Sequence, residues 1–254
     1  MQAVVPEALR AFFASHPRLA LAFSGGTDSA YLLCAALACG CDIRAYYVHS
    51  PFQPAFELED ARRLAGELGA DMRILDMDIL ADDAIAANPP DRCYHCKKRI
   101  FTVLARAAEA DGRTVLIDGT NASDDAGDRP GMRALRELNV LSPLRLCGVT
   151  KAMVREYSRQ SGLFTWNKPA YACLATRVPA GTAITADTLR RVEGAEAALR
   201  TLGFSDLRCR VYHGAARLQF PAAQLERAAA HRGDIRAALK PYFEVILIDT
   251  EDRG

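Results

Sequence analysis

Within this 254-residue chain, the stretch Ser24-Gly25-Gly26-Thr27-Asp28-Ser29 is the one best equipped to hold an anion. Paired glycines let backbone approach a ligand, and hydroxyls with N–H groups at a helix N-terminus bind phosphate oxygens. The neighbouring carboxylate of Asp28 can orient Mg2+. The stretch lacks the Gly-Lys-Ser/Thr ending of a Walker loop and the spacing Gly-x-Gly-x-x-Gly. A plain capped turn would need only one of these residues. Further on, Cys93 and Cys96 stand three positions apart in Asn88-Pro89-Pro90-Asp91-Arg92-Cys93-Tyr94-His95-Cys96-Lys97-Lys98. Such a pair at the start of a helix can share a metal or cluster, and a helix N-terminus favours thiolate. Taken alone, the pair is a weak signal, and a redox pair or a disulfide is the lesser alternative. A third thiol, Cys173, lies in Lys168-Pro169-Ala170-Tyr171-Ala172-Cys173-Leu174-Ala175-Thr176-Arg177.

Elements of two kinds must position these residues. Up to about residue 150, apolar runs alternate with helical patterns, the rhythm of a parallel sheet with crossover helices. Strands are expected at Leu19 to Phe23, Ile43 to Val48, Met72 to Leu75 and Val115 to Asp118. Helices are expected at Ala30 to Cys39, Phe56 to Leu68 and from about Lys97. The first loop then joins a strand end to a helix start. From Ala183 the order becomes helix Ala186 to Leu202, strand Leu207 to Tyr212, a turn at His213-Gly214, strand Ala216 to Phe220, helix Gln224 to Leu239 and strand Phe243 to Ile248. The expected architecture is an α/β doubly wound parallel sheet over residues 1–162, a linker at 163–182 carrying Cys173, and a smaller C-terminal α+β domain at 183–254.

Composition narrows the function classes. Half the residues are hydrophobic, which excludes disorder, and 32 Lys+Arg against 31 Asp+Glu leave a formal charge of +1. That balance exerts no global pull on nucleic acid or anionic lipid, so neither is expected as a partner. No apolar run reaches the ~20 residues of a membrane span. The opening Met-Gln-Ala-Val-Val-Pro lacks a signal peptide's layout, so a cytoplasmic location is expected. There the eight cysteines serve as thiols or ligands rather than as disulfides. Cys34, Cys39, Cys41, Cys147 and Cys209 read as ordinary, mostly buried thiols.

The stretch SGGTDS resembles the PP-loop of the ATP-pyrophosphatase superfamily, whose members cleave ATP between its α and β phosphates. That resemblance implies that Ser24, Gly25, Gly26 and Ser29 hold the leaving pyrophosphate and that Asp28 places Mg2+. Behind the loop come PDRCYHCKK, DGTNASDDAGDRPGMRAL from Asp118, SPL from Ser142 and KPAYACLATR from Lys168, in that order. Together they closely resemble the LarE family of sulfur transferases acting on pyridinium-3,5-biscarboxylic acid mononucleotide, which help to build the nickel-pincer nucleotide of lactate racemase. The implied chemistry is adenylation of a ring carboxylate followed by conversion to a thiocarboxylate. Some members sacrifice the sulfur of the cysteine matching Cys173. Others carry three cysteines resembling Cys93, Cys96 and Cys173, which hold a [4Fe-4S] cluster. This chain has all three, and three thiolates leave one iron able to carry an extra sulfide. The resemblance also implies a homo-oligomer, a hexamer, and pathway partners that make the substrate and insert nickel.

Other residues carry weaker signals. Asp118, Thr120 and Asn121, at a strand's C-terminal end, suit contact with ATP or its metal, or a capped turn. Asp124, Asp125, Asp128 and Arg129 also suit a solvated loop. Arg129 and Arg177 offer planar donor forks for a substrate phosphate or carboxylate, or for a salt bridge. Lys97 and Lys98 can face phosphates or solvent, His95 is an alternative metal ligand, and Trp166 reads as a packing anchor. The family implies active carboxylates in the C-terminal part. Glu193 and Glu196 lie in the matching helix, but Gln219 stands where an acid is expected. Rival readings are a PP-loop tRNA thiolase with a three-cysteine cluster, an amide ligase using ammonia, and a nucleotide sensor.

Overall fold

A computed structural model describes residues 3–124 and 130–251. Its contacts form two compact units. The first takes in Met1–Ser50, Ala55–Met77 and Asp91–Ala170, and the second Pro51–Pro54, Asp78–Pro90 and Tyr171–Gly254. The chain runs α1 (Glu7–Ser15), β1 (Arg18–Ala22), α2 (Thr27–Ala38), β2 (Asp42–His49), α3 (Ala55–Leu68), β3 (Asp71–Asp76), α4 (Asp83–Ala86), α5 (Arg92–Ala110), β4 (Leu116–Ile117), α6 (Pro130–Glu137), α7 (Pro143–Leu146) and α8 (Lys151–Gln160). It continues with α9 (Ala186–Thr201), β5 (Arg208–Tyr212), β6 (Ala215–Gln219), α10 (Ala222–Ala230), α11 (Arg232–Leu239) and β7 (Ile246–Ile248).

In the first unit the four strands are parallel in the order β3-β2-β1-β4. Alternation along each strand divides the core into two layers. Leu19, Leu21, Ile43, Ala45 and Tyr47 meet α2, α3 and α8 through Leu32, Leu64 and Val154. Ala20, Tyr46 and Val48 meet α5 and α6 through Phe101, Leu104 and Leu135 on the other face. This is the doubly wound α/β sheet the sequence led us to expect. The connections run outward in opposite senses from β1, so the switch point lies between β1 and β4, where such sheets receive ligands.

Several expected boundaries shift, among them the last strand, which narrows from Phe243 to Ile248 down to Ile246–Ile248, and the helix after the first loop, which begins at Thr27 rather than Ala30. The helix anticipated from about Lys97 begins at Arg92, because Arg92, Cys96, Leu104 and Ala108, spaced by four or eight residues, share one buried face. The single helix anticipated at Gln224 to Leu239 is two helices, broken at His231 just before Gly233. Glycine weakens a helix interior, and the second helix restarts with Asp234 in its first turn, bonded to His231 Nδ1 at 3.0 Å.

In the second unit β5 and β6 form the expected hairpin, closed by His213 and Gly214, both at positive φ, with β7 added parallel to β6. Asn88, buried and also left-handed, donates its amide to the carbonyls of Val178, Pro179 and Thr182. Among the described residues no helix is long and apolar enough to cross a membrane.

Candidate functional site

The loop after β1 is folded by its own hydroxyls. Ser24 Oγ and Ser29 Oγ lie 3.0 Å apart, Ser24 Oγ accepts from Gly26 N, and Ser29 Oγ donates to Gly26 O at 3.2 Å. Gly25 has φ +69°, and a Cβ there would come within 3.0 Å of Ala61 Cβ on α3. Only glycine combines that backbone with that approach. Gly26 is the N-cap position of α2, so the amides of the first turn open onto the loop.

The turn after β4 packs directly on this helix start. A Cβ on Gly119 would lie 2.9 Å from Ser29 N. Asp118, buried, accepts from Ser142 Oγ at 2.7 Å and from Thr120 Oγ1 at 2.5 Å. Its carboxylate therefore shapes the turn. Asn121, also buried, donates Nδ2 to Asp28 Oδ1 at 3.3 Å, while its Oδ1 accepts from Ser123 N. The other Asp28 oxygen meets Lys151 Nζ at 2.5 Å. Lys151 is a residue that sequence reasoning missed; the available signal was a lysine in a helix first turn that holds no acid. The structure thus brings Ser24, Gly25, Gly26, Asp28, Ser29, Asp118, Thr120 and Asn121 together at the carboxyl ends of β1 and β4. Arg129, Asp125 and Asp128 lie outside the described residues.

Cys93 and Cys96 occupy the opening of α5, Cys93 exposed and Cys96 buried. Arg92 Nη2 lies 3.8 Å from Cys93 Sγ, and His95 Nε2 faces Asp91 at 3.2 Å. Lys98 reaches Glu137 on α6, and the Lys97 side chain crosses Gly131. The segment around Thr165, which packs on α2 and α8, is pinned at several points. Thr27 Oγ1 donates to Thr165 O at 2.9 Å, Arg155 donates to the carbonyls of Trp166 and Lys168, and Lys168 Nζ meets Asp60 at 2.7 Å. Trp166 is 39% exposed, contrary to its expected role as an anchor, because the turn Phe164–Asn167 buries Thr165 instead.

In the second unit Cys173 is partly exposed and precedes a short 3-10 helix, Leu174–Arg177. The Arg177 guanidinium is wholly buried against Glu196, with Nε to Oε1 at 2.7 Å, and also donates to Ala172 O and Thr176 Oγ1. Burial alone would lower the Arg177 pKa, but Glu196 outweighs it and raises it. Glu196 further accepts from Tyr171 Oη at 2.5 Å and from Cys209 N at 3.0 Å. Burial, then Glu196, raises the Tyr171 pKa. Arg208 and Arg210 alternate onto this cluster from β5 and were not singled out from sequence, although their period-two spacing was visible. Burial, then the charge of Arg177, lowers the pKa of each. Gln219, at the expected acidic position, bonds Arg210 Nε and Asp249, so an acid is supplied from beyond β7. Cys34, Cys41 and Cys209 are buried, with burial pushing Cys41 up to about 11 and Cys209 up to about 12; Cys39 and Cys147 are half-buried. Within either unit, among the described residues, no three His, Cys, Asp or Glu side chains converge as metal ligands.

Comparison with known proteins adds relatives to this geometry. The chain is 37% identical over 222 residues to an uncharacterised protein of Synechocystis sp., spanning 87% of this chain and 83% of that one. It is 36% identical over 210 residues to the pyridinium-3,5-bisthiocarboxylic acid mononucleotide synthase of Lactiplantibacillus plantarum, spanning 82% of this chain and 76% of the relative. A shorter match, 32% identical over 58% of this chain and 51% of the relative, is to one of the subunits of the glutamine-hydrolysing GMP synthase of Methanosphaerula palustris. No protein-family model matches the chain.

Proposed function

Because this chain belongs to the LarE family of PP-loop enzymes, we propose that it is an ATP-dependent sulfur transferase acting on pyridinium-3,5-biscarboxylic acid mononucleotide. The observation that carries the reading is the similarity, over 82% of the chain, to a synthase of the corresponding bisthiocarboxylic acid nucleotide. A carboxylate oxygen is a poor leaving group. Attack by that oxygen on the α-phosphorus of ATP breaks the bridge to the β-phosphate and expels pyrophosphate. The acyl adenylate then offers AMP as a good leaving group, and its replacement by sulfur gives the thiocarboxylate.

The residues have distinct tasks. Ser24, Gly25, Gly26 and Ser29 cradle the departing pyrophosphate with hydroxyls and backbone amides at the positive end of α2. Asp28 is the Mg2+ ligand, and its chemistry fits, since its carboxylate already holds a cation at 2.5 Å. Asn121 orients Asp28, while Asp118 and Thr120 hold the turn that carries Asn121. Cys93, Cys96 and Cys173 would bind the [4Fe-4S] cluster, which supplies sulfide in place of a sacrificed cysteine. The donor chemistry suits it, with two thiols one helical turn apart at the start of α5 and one of them exposed. Arg129 is assigned to the substrate's anionic groups. Arg177 acts on them through the segment it braces, its own donors being turned to Glu196, Ala172 and Thr176. We assign the enzyme to the cytoplasm as a homo-oligomer, a hexamer, working beside the enzymes that make its substrate and insert nickel.

The test is pyrophosphate release from Mg-ATP with and without the dicarboxylate nucleotide, with mass spectrometry of the product and iron and sulfide analysis of the anaerobically reconstituted protein. Substrate-dependent release with oxygen-to-sulfur exchange is expected, together with iron that is lost in Cys173→Ala. Sulfur transfer without iron, leaving dehydroalanine at position 173, would replace the cluster with a sacrificial cysteine. Release stimulated by tRNA instead would overturn the substrate assignment.

A further inference from the structure

The ion pair between Lys151 and Asp28 is not explained by folding. Lys151 is the first residue of α8, after Thr150, whose Oγ1 accepts from Met153 N. Its backbone N–H is committed to Ser123 Oγ at 3.0 Å, while its side chain carries Nζ to Asp28 in the first turn of α2. The ammonium therefore lies at the N-termini of two helices of 12 and 10 residues, and both dipoles oppose a cation there. Asp28 alone would be well placed, being an acid in a helix first turn that also accepts from Asn121. Nor is the pair a buried anchor, because the two side chains are 34% and 25% exposed. Partly exposed pairs add little stability. Two helix ends and the hydroxyls of Ser24 and Ser29 instead make surroundings that favour an anion larger than one carboxylate.

We infer that Lys151 is an exchangeable cation of the nucleotide loop: it neutralises Asp28 until magnesium arrives with ATP, cedes that carboxylate to the metal, and turns its ammonium to the pyrophosphate end of the nucleotide. The inference rests on the reading of Ser24–Ser29 as the loop that holds ATP. The exchange conserves charge at each stage, since Asp28 is never left without a cation and Lys151 is never left without an anion. It makes Asp28 a poor metal site in the absence of nucleotide phosphate and a good one in its presence.

The test uses the full chain, with Lys151→Met matching the side-chain length without charge and Lys151→Gln as a second variant whose thermal melt establishes folding. Mn2+ alone is titrated by electron paramagnetic resonance, and Mg-pyrophosphate is titrated by calorimetry. In the variants, Mn2+ alone should bind about tenfold more tightly and Mg-pyrophosphate about tenfold more weakly than in the parent, as expected for one charge-assisted contact. Unchanged Mn2+ affinity would overturn the masking of Asp28, and unchanged pyrophosphate affinity would overturn the transfer of the ammonium. A parent chain that binds neither Mg-ATP nor Mg-pyrophosphate would instead sink the reading of the loop.

Discussion

Two ion pairs divide the chemistry of this chain between its units. In the first unit, Asp28 and Lys151 meet at 2.5 Å, each partly exposed. In the second, Arg177 and Glu196 meet at 2.7 Å with both side chains at 0% exposure. Water reaches the first pair, so parting it costs little and another cation or anion can take either place. The second pair cannot part without leaving a charge in apolar surroundings. Glu196 also gathers Tyr171, Arg200 and Cys209 N, so one carboxylate joins α9, β5 and the segment around Cys173. An adjustable pair suits a loop that must accept a charged ligand. A locked pair suits a cysteine segment that must keep its shape.

The contrast breaks most visibly at Glu196. Glu196→Ala should lower stability by about 3–5 kcal/mol, read as a fall in denaturation midpoint, while Mg-ATP binding to whatever remains folded stays near that of the parent. A loss under 1 kcal/mol would mean that the pair is not the brace we describe. At Gly25, alanine meets both a positive φ and Ala61. Gly25→Ala should cost roughly 1–2 kcal/mol and weaken ATP binding well beyond that, as measured by calorimetry. Lys151→Met sharpens the comparison from the other side. Its denaturation midpoint should move by no more than about 0.5–1 kcal/mol, against the much larger loss at Glu196.

The smallest effect belongs to a partly buried network of the first unit. Hydrogen bonds from Tyr46 and then Arg44, with help from Arg73, hold the Asp111 carboxyl down at about 2. An unfolded aspartate titrates near ~3.9, so the unfolded chain takes up this proton first. The contribution is complete above about pH 4 and disappears as the pH falls through about 2. Asp111→Asn should remove that contribution, lowering stability modestly at neutral pH and flattening the acid loss between about pH 4 and 2, so that the two proteins converge below that window. Equal acid slopes in the two proteins would show that the network is screened by solvent.

Much of the first unit was legible because its signals are local. Apolar runs bounded by turn residues marked β1, β2 and β3 to within a residue or so, and Ser24-Gly25-Gly26 announced an anion loop. The start of α5 was not legible, since Arg92 heads its buried face and an arginine does not read as a core residue. In the second unit the hairpin was readable from His213-Gly214, but the break at His231 was hidden in a helix-forming run. Arg177 read as a ligand for substrate or as one half of a surface salt bridge, because a guanidinium is mostly met at the surface. Its burial depends on a carboxylate one element away, which no spacing rule connects to it.

Residue types and short spacings sufficed to identify a phosphate loop, three candidate thiolates and the alternation of strand with helix. Such features are settled within a few residues by backbone preference and side-chain period. What neighbours Asp28 is of another kind. Asn121 and Lys151 reach it from 93 and 123 residues away because β4 adds beside β1 and α8 packs on α2. Glu196 likewise becomes a hub only when α9 lies against β5. Electrostatic meaning depends on distance and burial, and both are set by how the layers close on one another rather than by order along the chain.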